Sequence, residues 1–183
     1  MIEIPGTRLH VGTRLDSTLR NDDAWAVVNT AKTVHCEIMG WGNRPPSDHP
    51  NYVEFEDGQL LSFNWVDGAA YLFDYQGRGI ERFTRALDFI DRWYPTKDIL
   101  INCDQGQSRS PTVAMLYLAK RLGTIPGGSF ADARSAFQEI YRGYAPKGIA
   151  DFVSGHWDEI KCRRSSRTAR RASGAICSTA TAR

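Results

Sequence analysis

Cys103 and Arg109 lie in the segment Ile101-Asn102-Cys103-Asp104-Gln105-Gly106-Gln107-Ser108-Arg109-Ser110-Pro111. An apolar run precedes the cysteine, a glycine lies mid-loop, and a proline opens the next helix. Backbone N–H groups of such a loop converge on one point. The N-terminus of that helix adds positive potential there, which makes an oxyanion site. An ordinary thiol is only a few per cent ionised at neutral pH, and helix N-termini and nearby cations lower its pKa substantially. Arg109 carries the planar fork that grips two phosphate oxygens at once. These residue types at this spacing suit in-line attack of a Cys103 thiolate on a phosphate monoester, giving a phosphocysteine intermediate.

Spacing alone is a weak signal. Cys177 and Arg183 repeat it in a segment with no apolar strand, no central glycine and no capped helix. The setting singles out Cys103. The four cysteines, at 36, 103, 162 and 177, form no C-x-x-C pair and no zinc-finger pattern. His10, His35, His49 and His156 are scattered without ligand spacing, so neither a metal nor another cofactor is expected. Cys36 reads as a partly buried structural thiol. Trp41 and Tyr52 read as packing residues near a proline-rich loop.

The elements that must position this segment follow from periodicity. Residues 8–12 and 25–29 are short apolar runs bounded by polar residues or glycine, which predicts strands. Residues 40–50 hold two glycines and three prolines and read as a loop. Residues 52–55 and 59–65 flank Asp57-Gly58, a hairpin signal. Ile80, Phe83, Leu87, Ile90 and Tyr94 form one helical stripe, ended by Pro95. The wholly apolar Ile99-Leu100-Ile101 predicts a central strand buried on both faces. Ser110 then suits an N-cap with Pro111 at the first helical position, and Gly123 suits the C-terminal cap. Ser129 and Asp132 have capping-box spacing ahead of Phe130, Ala133, Phe137 and Ile140. A last helix carries Ile149, Phe152, Val153, Trp157 and Ile160. The expected fold is α/β: a central, mostly parallel sheet of four to five strands flanked by helices, with the phosphate-binding loop between a buried strand and a helix.

Composition agrees with a globular body. Of 183 residues, 42% are hydrophobic and 24% charged, and no run approaches the ~18 apolar residues of a membrane span. Residues 161–183 hold seven basic residues and no acidic ones, which leaves residues 1–160 with 16 basic and 21 acidic residues. The formal charge of +2 therefore divides into a body of −5 and a tail of +7. This argues against nucleic-acid binding by the body and leaves it to the tail. The expected organisation is a domain over 1–160 and a basic, disordered tail over 161–183. The start has neither the basic end nor the apolar stretch of a secretory signal, so reduced thiols and a cytoplasmic location are the default expectation.

The stretch Cys103-x-x-Gly106-x-Ser108-Arg109-Ser110-Pro111-Thr112 resembles the signature of the dual-specificity phosphatases, within the cysteine-based protein tyrosine phosphatase superfamily. Ala114-Met115-Leu116-Tyr117-Leu118 is similar to that family's following helix, and Arg85-Ala86-Leu87-Asp88-Phe89-Ile90-Asp91 to the helix before its catalytic strand. The resemblance implies that Cys103 is the nucleophile and Arg109 the phosphate clamp. It implies a substrate cradle from the N–H groups of Asp104, Gln105, Gly106, Gln107, Ser108 and Arg109. It also implies that Ser110 hydrogen-bonds the thiolate and helps it leave. Asn102 stands where the family usually has His; it donates hydrogen bonds but is never a cation. Lys147 stands where the family often has Asn, and no role is transferred to it.

The family supplies a general acid from an upstream loop. Asn64-Trp65-Val66-Asp67-Gly68 resembles the Trp-x-Asp loop of tyrosine phosphatases, and Asp67 is preferred because it ends an expected strand over 61–66, at a strand end pointing into the site, and precedes a glycine. Asp74, in Tyr71-Leu72-Phe73-Asp74-Tyr75, remains the alternative. The implied substrates are phosphotyrosine and phosphoserine or phosphothreonine in proteins. Asp104, Gln105 and Gln107 bring no cation, which argues against inositol polyphosphates. The alternatives are an RNA 5′-phosphatase using the basic tail, and a catalytically weak phosphoprotein-binding module motivated by Asn102.

Overall fold

The computed structural model describes residues 1–42 and 44–160, in which six strands alternate with helices. In chain order these are β1 (Ile2–Glu3), β2 (Leu9–Gly12), β3 (Trp25–Asn29), α1 (Lys32–Ile38), β4 (Glu54–Asp57), β5 (Leu60–Phe63) and α2 (Gly79–Trp93). They continue with β6 (Asp98–Asn102), α3 (Arg109–Tyr117), α4 (Phe130–Ile140) and α5 (Gly148–Gly155). Arg14–Asn21 and Ala70–Phe73 are 3₁₀ segments, and α3 runs on into a π-turn at Leu118–Leu122. The tail, with Cys162 and the second match at Cys177 and Arg183, lies outside the described residues.

The sheet order is β1-β2-β6-β3-β5-β4. The inner pairings β2·β6, β6·β3 and β3·β5 are parallel, and the edge pairings β1·β2 and β5·β4 are antiparallel. The architecture is the expected α/β sheet, with six strands rather than four to five. The strand that periodicity missed is β1, whose two residues are too short to carry a pattern.

Strand alternation divides the core. Ile99 and Ile101 of β6 join Val28, Leu87, Ile90, Val113 and Leu116 in the main apolar cluster, beneath α2 and α3. Leu100 and Val27 are also buried but stand outside that cluster, on the other face, where the 3₁₀ segment Arg14–Asn21 lies against β2, β3 and β6. The hairpin turn between β4 and β5 falls at Gly58-Gln59, one residue later than expected, since Asp57 pairs with Leu60. Gly58 takes φ +55° there, a conformation that favours glycine. The edge strand β4 is covered by charge. Arg85 meets Glu54 and Glu56, and Arg92 bonds Glu56 at 2.6 Å, so α2 holds the hairpin without exposing an open apolar edge.

β6 delivers Cys103 to the carboxyl end of the sheet between β2 and β3, the place where parallel α/β sheets carry ligands. Among the described residues no helix is long and apolar enough to cross a membrane.

Candidate active site

Four carbonyls of the loop between β6 and α3 are held by partners from outside it. The Asp104 carbonyl accepts from the Arg14 N–H at 3.3 Å and the Gln107 carbonyl from the Ala145 N–H at 2.8 Å. The Gly106 carbonyl accepts from the Tyr141 hydroxyl at 2.8 Å. The Ser108 carbonyl takes the Thr112 hydroxyl at 2.7 Å. With the carbonyls tied down outside, the N–H groups are left for the inside. Those of Asp104, Gln105, Gln107 and Ser108 reach no backbone carbonyl among the described residues. Gly106 permits the turn: its φ is +72°, and a Cβ there would lie 3.3 Å from the Gly12 carbonyl.

Cys103 is buried, and its sulfur is held from two sides. The Gly106 N–H donates to Sγ at 3.2 Å and the Ser110 hydroxyl at 3.1 Å. Burial alone would push the thiol up. The Ser110 hydroxyl and N–H, the Arg109 charge and the Gln105 N–H together outweigh it and hold the thiol below its ordinary value. Cys36 shows the contrast: burial pushes its thiol up, and the partial offset from Lys32 does not reverse that. Ser110 is not the N-cap that the sequence suggested. The helix starts at Arg109 with Ser108 in the cap position, which leaves the Ser110 hydroxyl free to face the sulfur.

Arg109 is buried, with 4% of its side chain exposed. Its Nη1 donates to the Trp65 carbonyl at 2.6 Å and the Thr30 carbonyl at 3.2 Å, and its Nη2 to Asp104 Oδ2 at 2.6 Å. Its Nε has no hydrogen-bond partner within the described residues. The guanidinium is thus anchored through Nη1 and Nη2, which leaves Nε without a hydrogen bond among the described residues. Cys103, Asp104, Gln105, Gln107, Ser108 and Arg109 all line one cavity of about 230 Å³.

Asp67 lines the same cavity. Its Oδ1 accepts from the Ser108 hydroxyl at 2.9 Å, its Oδ2 pairs with Lys147 Nζ at 3.0 Å, and Arg109 Nε lies 4.0 Å away. Asp74 does not line it. Its carboxylate accepts from the Gly77 N–H at 2.9 Å and closes the turn ahead of α2. The strand before Asp67 ends at Phe63, so Asp67 is carried by a short loop rather than a strand end.

Asn102 continues a buried chain of neutral groups. Its Nδ2 donates to Asn29 Oδ1 at 3.3 Å, Asn29 Nδ2 donates to Ser62 Oγ at 2.8 Å, and Ser62 meets His35 Nδ1 at 2.9 Å. Burial pushes the His35 pKa down, against weaker upward effects from its bonds to the Asn51 carbonyl and Ser62. Trp41 packs edge-on against His35 and His49, as a packing residue would.

Three contributors were missed by sequence reasoning. Tyr141 braces Gly106, Thr33 donates to Asp104, and Lys147 pairs with Asp67. Each is distant in the sequence from the residue it contacts.

No protein-family model matches the chain, and no curated protein matches it in sequence. Solved structures do match in shape. The crystal structure of DUSP15 superposes with a TM-score of 0.55 at 16% identity, over 86% of each chain. The phosphatase domain of Yvh1 from Chaetomium thermophilum gives 0.54 at 17% identity, covering 86% of this chain and 95% of that one. Human DUSP28 gives 0.52 at 17%, covering 87% and 96%. The fold is that of the dual-specificity phosphatases. The likeness is one of fold, and chemistry is set by the site.

Proposed function

We propose that the chain is a phosphatase of the dual-specificity type that hydrolyses phosphate monoesters in proteins through a phosphocysteine intermediate, without metal or cofactor. The observation that carries this reading is the juxtaposition of a buried, hydrogen-bonded Cys103 sulfur, inward loop N–H groups and Arg109 in one cavity with Asp67. The Cys103 thiolate attacks phosphorus, and the P–O bond to the leaving alkoxide or phenoxide breaks. Asp67 gives that oxygen its proton, then as carboxylate takes a proton from the water that attacks the phosphocysteine. Inorganic phosphate leaves and the thiolate returns, stabilised by the Ser110 hydroxyl. Charge on the phosphoryl oxygens is met by the loop N–H groups and Arg109.

Among the described residues no aromatic side chain lines the cavity. A site without an aromatic wall does not select a phenyl ring, which favours both phosphotyrosine and phosphoserine or phosphothreonine as substrates. A low-pKa thiolate oxidises readily, which favours a reducing compartment, the cytoplasm, as its place of action.

The test is hydrolysis of an aryl phosphate by the full chain, followed by a panel of phosphopeptides. Turnover should vanish in Cys103→Ser and fall at least a hundredfold in Arg109→Lys, which loses the fork. Wild-type protein that is folded but inert would overturn the reading in favour of a phosphoprotein-binding module.

A further inference from the structure

Arg109 presents only one edge to the cavity. Its Nη1 is turned into the body of the protein by the Trp65 and Thr30 carbonyls, so the oxyanion must use the Nη2 and Nε edge. That edge is partly taken: the Asp104 carboxylate sits on Nη2 at 2.6 Å. Asp104 is itself pinned from the opposite side by the Thr33 hydroxyl, and its own carbonyl is held by the Arg14 N–H. Burial would push the Asp104 carboxyl up, but Thr33, the Arg109 contact and the Arg14 charge outweigh it and hold it below the usual carboxylate range. It is an anion at neutral pH.

We infer that Asp104 is a specificity-determining residue: a built-in anion that competes with the incoming oxyanion for Arg109, so that the pocket holds tetrahedral dianions more loosely than its cradle alone would. This rests on the proposed function and deepens it. Two observations separate competition from positioning. Arg109 is already oriented by two backbone carbonyls, so it does not need Asp104 to aim it. Once the thiolate forms, Asp104 adds a second negative group beside Cys103 to the cavity lining. A dianion entering there meets net repulsion from Asp104 at short range in a partly desolvated site. Substrates that crowd further negative charge beside the phosphoryl group are disfavoured most, and inorganic phosphate, the product, is readily released.

The experiment is calorimetric titration of the full chain with tungstate, a tetrahedral dianion, comparing wild type with Asp104→Asn. Tungstate should bind Asp104→Asn at least tenfold more tightly, ~1.4 kcal/mol. Thr33→Val, which unpins the carboxylate without removing it, should give a smaller tightening of about threefold in Kd, ~0.6 kcal/mol. Equal or weaker binding by Asp104→Asn overturns the inference, and weaker binding would make Asp104 a positioning residue instead. If Asp104→Asn does not fold, Thr33→Val decides: no tightening there overturns the inference. Tungstate binding to wild type with no gain in the variants removes the inference and leaves the proposed function standing. Folded protein that binds no tungstate in any form removes both.

Discussion

Replacing Ser110 by alanine isolates the contribution of one hydroxyl to the nucleophile. Its Oγ lies 3.1 Å from Cys103 Sγ, and both side chains are buried, so no water takes its place at once. Hydrogen bonds to charged groups contribute ~1.5–3 kcal/mol, and a soft sulfur acceptor belongs at the lower end. A loss of ~1.5 kcal/mol of preference for the thiolate is about a tenfold fall in its population wherever the thiol is mostly protonated. The sign is set by the groups that hold the thiol down. Burial raises it and Ser110 heads the opposing effects, so removing the hydroxyl moves ionisation toward higher pH while the Arg109 charge and the remaining N–H groups keep part of the effect. Iodoacetamide alkylation, with mass spectrometry at Cys103 over a pH series, reads this directly. On the acid side of the profile the variant should react about tenfold more slowly. At high pH, where both thiols are ionised, the rates should converge. Cys36, whose thiol burial pushes up, serves as an internal control that Ser110→Ala leaves unchanged. An unchanged Cys103 profile in folded variant protein refutes the reasoning.

Asp67→Ala should slow turnover of an alkyl phosphate at least a hundredfold and of a nitrophenyl phosphate far less, because only the poor leaving group needs its proton. The same pattern in Asp74→Ala would reverse the assignment. Tyr141→Phe strips the Gly106 carbonyl of its donor in a buried setting, and should cost ~1–3 kcal/mol in urea denaturation and raise KM for an aryl phosphate. No change in either quantity would mean the loop holds its shape without that brace.

The parts legible in the sequence were those governed by local periodicity. β6 showed as three apolar residues because both of its faces are buried, and α2 as one stripe because a single face is. Cys103, Arg109 and the loop between them were legible because a phosphate cradle is a contiguous device: strand, glycine turn and helix start in one stretch. The N-cap was misplaced by two residues because a hydroxyl beside proline fits both a cap and a sulfur partner, and only the loop's path decides between them. α1 went unread. It is short, its cap position is Ala31 with no side-chain bond, and it buries Val34, His35 and Cys36 in succession rather than on a stripe. The choice between Asp67 and Asp74 is tertiary: both precede α2, and contacts with Ser108 and Lys147, together with the Trp65 carbonyl's hold on Arg109, place Asp67 at the cavity. Tyr141, Thr33 and Lys147 act across long sequence separations, where no spacing rule reaches.

The central claim is that a phosphoryl group passes through Cys103. Rapid mixing of the full chain with a labelled aryl phosphate, quenched in acid within milliseconds, traps any phosphoenzyme for peptide mapping. Label should appear on the peptide that contains Cys103, rising with the burst of released phenol and absent in Cys103→Ser. Turnover with no label on Cys103, or label on another residue, would contradict it.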